Sequence, residues 1–464
     1  MKLLYTLLCL LLVVTLRADP GDSSRLINTI DLGYPITTVD FSADGELLAV
    51  AGASATVNLY HAHLGIKVKA LTEGHTEHIN TVRFSPDSRL LATGGSKHKI
   101  LIWDVASGRL IHELIGHKAP IQGLSFSPNG FYLASASGED QVIIWNLATG
   151  HRVENLPRHP GQVTAVAFGA TGEQLITACS DQKLRIWSTK DGKLVQILKG
   201  HKAAVCAVRW SWTAGLIASG GKDNSAKIWD PVNGNQDPKL PNHPADVCTL
   251  AFSPEGTILG TGGADNLVKL WDLASGKLII ALTEGAHIAK VEEVDFNHDG
   301  TVLVSCSRDG MVKLWDVPTL EERLNFTLER AMTEWLQGQD VEKTANLLEQ
   351  PEKRDKERER IRKNLEKQLT TYFEENVAWQ ETLTIGKYNE DYGYFRVESP
   401  LLGRLRLIVE PKEAEKVKEN IDRLEFRYLK MKMEDGKLQV ESVMAFLKGM
   451  QRRYITKPMA ITNK

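Results

Sequence analysis

The chain has 464 residues, a formal net charge of -2, 42% hydrophobic and 25% charged residues, the balance of a globular protein with one large core or two domains. The near-neutral charge excludes the concentrated basic face that nucleic-acid binding requires. Five cysteines in so long a chain exclude a disulfide scaffold, and no CxxC pair is present to hold a structural zinc, so no metal or cofactor is expected.

The chain begins MKLLYTLLCLLLVVTLRADP, one lysine followed by an apolar run from Leu3 to Leu16. The run is short for a bilayer span, which needs about 20 residues. It fits the hydrophobic region of a signal peptide over 1–18, cleaved after Ala18. The expectation is an exported protein, periplasmic or extracellular; the alternative is an uncleaved N-terminal membrane anchor.

A repeat dominates the chain from there to Phe326. Trp103, Trp145, Trp187, Trp229, Trp271 and Trp315 are 42 residues apart, the last pair 44. Upstream of each, 28 residues away, stands His75, His117, His159, His201, His243 or His287, and nine residues after each histidine comes Phe84, Phe126, Phe168, Trp210, Phe252 or Phe296. Within a unit, INTVRFSPDSRLLATGGSKHKILIWD and RLIHELI read as four short strands separated by turns. Four strands per 42 residues form one propeller blade. A degenerate unit with Phe41 and Tyr60 in phase, and Leu32 in place of histidine, brings the count to seven. Either SRLINTIDL near the N-terminus or EERLNFTL at 321–328 supplies the outer strand of the last blade.

With GH near the start and WD near the end of each unit, residues 25–326 resemble the WD40-repeat family. The resemblance implies a mainly β fold, a seven-bladed propeller over 19–326, and a hydrogen-bonded relay of histidine, Ser/Thr, Asp and tryptophan inside each blade. The complete sets are His159/Thr177/Asp181/Trp187, His201/Ser219/Asp223/Trp229, His243/Thr261/Asp265/Trp271 and His287/Ser305/Asp309/Trp315. Lys97 and Glu139 damage the sets of His75 and His117. The relay gives these residues structural roles, so His201 and Cys206 are not read as a nucleophilic pair, which would need mutual contact and an orienting third group. Cys248 occupies the slot of Cys206 one blade later, and the two thiols either face each other or stay free.

The resemblance also implies partner binding on the face that carries the turns leading into the inner strands. Its candidates are His78, Asn80, Gln122, Gln162, Lys222, Asp246, Lys290, Glu292 and Arg308. Trp212, in a turn on the opposite face, is expected to receive the C-terminal region.

After Phe326 the rhythm stops. Residues 327–377 read as a charged helical linker and 378–464 as a small α+β domain, with strands in WQETLTIG, YGYFRVES and LGRLRLIVE, a helix over 411–426 and a hairpin turning at Asp435-Gly436. The functional expectation is a non-enzymatic protein-interaction scaffold whose C-terminal module is accessory. The alternatives are an enzyme with its chemistry in that module, or an envelope- or glycan-binding propeller.

Overall fold

The structure is a computed structural model. It describes residues 25–319 apart from Asp140, then helical positions within 322–367 and six strands within 384–458 as backbone. The expected signal segment 1–18, much of the linker and the limits of the small domain lie outside the described residues.

Residues 26–316 form seven four-stranded antiparallel sheets. Blade two runs through Ile79–Phe84, Leu90–Gly95, Lys99–Asp104 and Leu110–Ile115, from the inner strand outward. Its inner strand alternates small or polar residues with Val82 and Phe84, as a strand with one face in the core must. The turn from third to outer strand shows the local chemistry. Asp104 Oδ1 accepts the Ser107 N–H at 2.7 Å, and Gly108 N–H donates to the Asp104 carbonyl at 2.8 Å. Gly108 has φ +73°, and a Cβ there would lie 2.9 Å from Lys69 Cδ, so only glycine fits without strain.

A blade cannot bury its two apolar faces alone. Ala49, Ala51, Val57 and Leu59 of blade one pack on Ile79, Val82, Phe84, Leu91, Leu101 and Trp103 of blade two. The same layer recurs between blades two and three and between blades four and five. Each aliphatic side chain so buried stabilises by about 1.5–3 kcal/mol.

The N-terminus closes the ring. Leu26–Asp31 pairs antiparallel with Met311–Asp316 as the outer strand of blade seven. Arg25 NH1 clasps Asp316 Oδ2 at 2.7 Å, and Leu32 N–H donates to Gly310 O at 3.1 Å. The competing segment 321–328 is helical at its described positions, so it is not a closing strand.

Contacts separate Ser23–Val317 from a second unit beginning at Pro318. Within that unit, residues 355–364 are helical, with Glu359 and Lys363 paired at 3.5 Å one turn apart. A six-stranded antiparallel sheet has the order Thr384–Asn389, Tyr394–Ser399, Gly403–Ile408, Arg453–Pro458, Lys437–Leu447, Leu424–Glu434. Glu434 pairs with Lys437 at the end of the Leu424–Glu434 and Lys437–Leu447 ladder; the turn expected at Asp435-Gly436 lies outside the described residues. Of the helix expected over 411–426, Leu424–Phe426 belong instead to a strand, and residues 411–423 lie outside the described residues.

Deleting residues 26–31 from the full chain will expose the outer edge of Met311–Asp316 and lower the thermal midpoint by several degrees. An unchanged midpoint, read by circular dichroism, means that another segment closes blade seven.

Candidate functional site

Three sets of polar side chains lie where chemistry or recognition would be sought: the relays inside the blades, the channel lining, and the rim.

In the relays, the indole N–H of the third strand donates to a hydroxyl of the second strand, and that hydroxyl meets the histidine Nε2. The indole-to-hydroxyl and histidine-to-hydroxyl distances are 3.0 and 2.7 Å for Trp103/Thr93/His75, and 2.8 and 2.7 Å for Trp145/Ser135/His117. They are 3.0 and 2.8 Å for Trp187/Thr177/His159, and 2.8 and 2.7 Å for Trp229/Ser219/His201. The last two sets give 2.9 and 3.0 Å for Trp271/Thr261/His243, and 2.8 Å twice for Trp315/Ser305/His287.

Thr177 and Ser305 are buried at 0% exposure, as is Ser219, and Thr261 is at 1%. As sites for a ligand or a partner these four hydroxyls are therefore excluded. Thr177 and Ser305 belong to the core, and each already meets an indole and an imidazole.

The carboxylate end differs from the expectation. Asp223 accepts from His201 Nδ1 at 3.0 Å and Asp309 from His287 Nδ1 at 2.8 Å, so the sets through Ser219 and Ser305 are complete. The sets through Thr177 and Thr261 are not built as expected. Asp181 takes both Arg185 guanidinium nitrogens, at 3.1 and 2.5 Å, and Asp265 is drawn to Lys269. In both blades a cation four residues on, reaching back from the third strand, takes the carboxylate in a charge-assisted bond. His243 Nδ1 is left buried with no hydrogen-bond partner. Conversely, Glu139 does the work of the missing Asp in blade three: it accepts from His117 Nδ1 at 3.3 Å and from the Lys118 N–H at 3.0 Å.

Burial pushes His75 and His243 down to about 4, helped by Lys99 and Lys269 respectively. It lowers His117, His201 and His287 against the opposing pull of Glu139, Asp223 and Asp309. Burial works to raise Asp223, but bonds from Ser225, Lys202 N–H and His201 hold it at about 2.

Ser219, His201 and Asp223 thus have the connectivity of a hydrolase triad. Catalysis is blocked twice: Ser219 is 0% exposed, and its oxygen is already engaged by the Trp229 indole. Cys206 gains no base from His201, whose two ring nitrogens are taken by Ser219 and Asp223. Burial, then the neighbouring Cys248, pushes the Cys206 thiol up to about 11, the reverse of an activated nucleophile.

The channel lining carries charges that no motif signalled. The residue before each inner-strand aromatic is Asp40, Arg83, Ser125, Ala167, Arg209, Ala251 or Asp295. Alternation turns this position away from the core, toward the channel, and four of the seven are charged. Glu293, two residues before Asp295 and on the same face, joins them. Its Oε1 receives Arg83 NH2 from blade two and Arg209 NH2 from blade five, the latter at 2.7 Å. Its Oε2 receives the Thr38 hydroxyl at 2.6 Å and the Val39 N–H at 3.2 Å, both from blade one. Asp40 accepts Phe84 N–H at 2.6 Å, and Asp295 accepts Phe41 N–H at 3.0 Å, each across a blade boundary.

Three carboxylates and two guanidiniums therefore lock blades one, two, five and seven across the channel. Burial would raise Glu293, but the arginines hold it low. Burial raises Asp295 to about 6 against Phe41 N–H and the arginines, and raises Asp40 well above its usual value against Arg83.

At the rim, each inner strand has a bulge after its first residue, leaving Thr37, Asn80, Gln122, Thr164, Cys206, Cys248 and Glu292 outside the ladder. Thr37 donates to Ile79 O at 2.6 Å, Asn80 to Ile121 O at 2.9 Å and Thr164 to Val205 O at 2.7 Å. Asn80, expected on the partner face, is therefore a stitch between blades. Glu292 is neutralised by Lys290 at 2.7 Å and by Arg308, and Asp246 is half-buried. His78, Gln122, Gln162, Lys222 and Arg308 are exposed. Trp212, on the other face, is 42% exposed and gives its indole N–H to Phe168 O at 3.0 Å. The indole thus serves a contact between blades four and five; the C-terminal partner expected for it involves residues outside the described set.

These geometries set three measurable outcomes. Glu293→Gln leaves two guanidiniums facing a neutral amide, and breaking such a largely buried pair costs about 3 kcal/mol, read as a lower denaturant midpoint at constant slope; an unchanged midpoint refutes the lock. Lys269→Met frees Asp265 for His243, so the His243 imidazole will titrate well above about 4 by NMR; a value that stays put refutes the competition. Because burial depresses His75, His117, His201, His243 and His287 below their unfolded value, their stabilisation is complete above about pH 6.5 and is lost as pH falls, for His75 and His243 toward about 4. Asp40 and Asp295, raised in the fold, act oppositely: their contribution is present below about pH 4 and lost as pH rises, for Asp295 through about 6. With five depressed histidines against two raised carboxyls, unfolding free energy will rise between pH 4 and 6.5, and Asp295→Asn will steepen that rise. A flat profile contradicts this.

Comparison with curated proteins returns no significant match. The profile of the WD domain, G-beta repeat family matches seven times, over residues 25–61, 66–104, 108–146, 150–188, 192–230, 234–272 and 278–316. Each match spans the outer strand of one blade and the inner three of the next, the offset produced by N-terminal closure. With more than half of its length so matched, and the blades and indole–hydroxyl–imidazole relays in place, the chain belongs to the WD40-repeat family.

Proposed function

We propose that this propeller, of a family whose members are in general protein-interaction scaffolds, is a non-enzymatic scaffold outside the cytoplasm, with the exposed rim as its partner-binding surface and the C-terminal unit as an accessory module. The observation that carries this reading is the structural engagement of the groups that resemble reagents. The Ser219/His201/Asp223 triple is sealed in a blade, and the channel charges pair with one another. Of the residues expected on the partner face, His78, Gln122, Gln162, Lys222 and Arg308 are exposed, a polar set suited to hydrogen bonding with a protein surface. The apolar run from Leu3 to Leu16 supports export.

Crosslinking in the native compartment, with quantification of the captured protein, tests the rim. The triple variant Gln162→Arg, Lys222→Glu, Arg308→Glu will capture the same partner at least about tenfold less, since rim charge reversal opposes association, while its circular dichroism stays unchanged. Equal capture moves the partner surface elsewhere. A reporter fused after residue 30 and active only in the cytoplasm refutes export.

A further inference from the structure

The inner-strand bulges place one side chain per blade around the channel mouth, and their hydrogen bonds show where each side chain points. Thr37, Asn80 and Thr164 each reach the carbonyl of the residue just before the next blade's bulge: Ile79, Ile121 and Val205. For Thr164 that carbonyl adjoins Cys206, and a hydroxyl on a one-carbon arm spans the gap at 2.7 Å. The next step around the ring repeats the same register: Cys206 is the bulged residue between Val205 and Ala207, and Cys248 the bulged residue between Val247 and Thr249. Cys206 thus stands in the slot from which Thr164 reaches the next blade, and Cys248 in the matching slot of the blade that follows.

Neither thiol is used as a stitch. Cys206 Sγ sits 3.9 Å from Ala204 O and Cys248 Sγ 3.7 Å from Asp246 O, each within its own blade. Both are free and only half-buried, whereas Cys179 and Cys306 are buried. Burial raises the Cys206 thiol, and the neighbouring Cys248 raises it further; burial raises Cys248 as well, against the pull of the Lys290 ammonium. Between blades four and five a single threonine arm bridges the two backbones at this slot, a separation of the order that two cysteine arms span.

We propose that Cys206 and Cys248 form a paired-thiol modification site that closes into a disulfide between blades five and six at the channel mouth, with a low-molecular-weight disulfide as oxidant. The Cys248 thiolate attacks one sulfur of the reagent RSSR, forming a mixed disulfide and expelling RS⁻. The Cys206 thiolate then attacks the Cys248 sulfur, forming the Cys206–Cys248 bond and expelling the second RS⁻. The two protons lost by the protein thiols end on the two RSH; the protein is oxidised by two electrons and RSSR reduced to two thiols. The closed bond spans a 42-residue repeat, so it restrains the unfolded chain and ties together two inner strands that at this slot have no stitch.

The test uses the full-length protein, incubated natively with oxidised glutathione between about pH 8 and 10, since both thiols are raised in the fold and thiolate is scarce near neutral pH, then alkylated and mapped by mass spectrometry without reduction. The expected product links the Cys206 peptide to the Cys248 peptide with the loss of two hydrogens, forms faster as pH rises, and raises the thermal midpoint. Cys206→Ser will stop at a glutathione adduct on Cys248 with no rise in midpoint. Separate glutathione adducts on both cysteines of the wild-type protein overturn the proposal. So do a crosslink to any other cysteine, and two thiols that remain alkylatable after prolonged oxidation.

Discussion

A four-stranded blade has two apolar faces and no means of covering either. That single constraint organises the propeller. Each sheet borrows a neighbour's face, and the last sheet finds its neighbour only if the ring closes. Closure depends on the N-terminal strand taking the outer place in blade seven, so that the first and last parts of the propeller are held by one ladder rather than by a loop. Arg25 and Asp316 fasten its beginning, and Leu32 and Gly310 its end.

Polar groups inside such a ring must be satisfied, and two devices do this. Within blades, a hydroxyl mediates between an indole donor and an imidazole acceptor, so that three buried polar side chains cost little. Between blades, side chains of one inner strand accept the N–H groups of the next: Asp40 for Phe84, Ser125 for Phe168, Thr249 for Val294, Asp295 for Phe41. Glu293 extends the second device across the channel by recruiting arginines from blades two and five. A histidine, a serine and an aspartate in line thus serve cohesion here. The deciding fact is access, since the serine oxygen has no exposed surface on which a substrate could be placed.

Much of this was legible in the sequence because the repeat is periodic. The tryptophan and histidine registers marked the blades, and SRLINTIDL carried the pattern of an outer strand. The fourth relay member was less legible for a physical reason. Arg185, Lys269 and Lys313 occupy the same slot on the third strand. Arg185 and Lys269 bend back to the turn aspartate, whereas Lys313 donates to the carbonyls of Gly285 and Ala286 and leaves Asp309 to His287. The hydroxyls of Thr177 and Ser305 sit in equivalent places, yet of the two it is the Ser305 set that runs on to its aspartate, through the 2.8 Å bond from His287 Nδ1 to Asp309. The choice among acceptors is made by side-chain geometry that residue type does not encode. Asn80 looked like a recognition residue because bulge side chains lie at the rim; only its bond to Ile121 O reveals a stitch. The channel cluster escaped because its members lie in four different repeats, and charge at one register slot becomes a cluster only when the ring is closed.

The central claim is that the indole–hydroxyl–imidazole relays are internal joints of a ring that opens only as a whole. Hydrogen exchange of the indole N–H groups of Trp103, Trp145, Trp187, Trp229, Trp271 and Trp315, followed by NMR under native conditions, tests it most directly. All six will exchange only through global unfolding of the propeller, with one common protection. Indoles that exchange rapidly from the native state, each at its own rate, would contradict the claim.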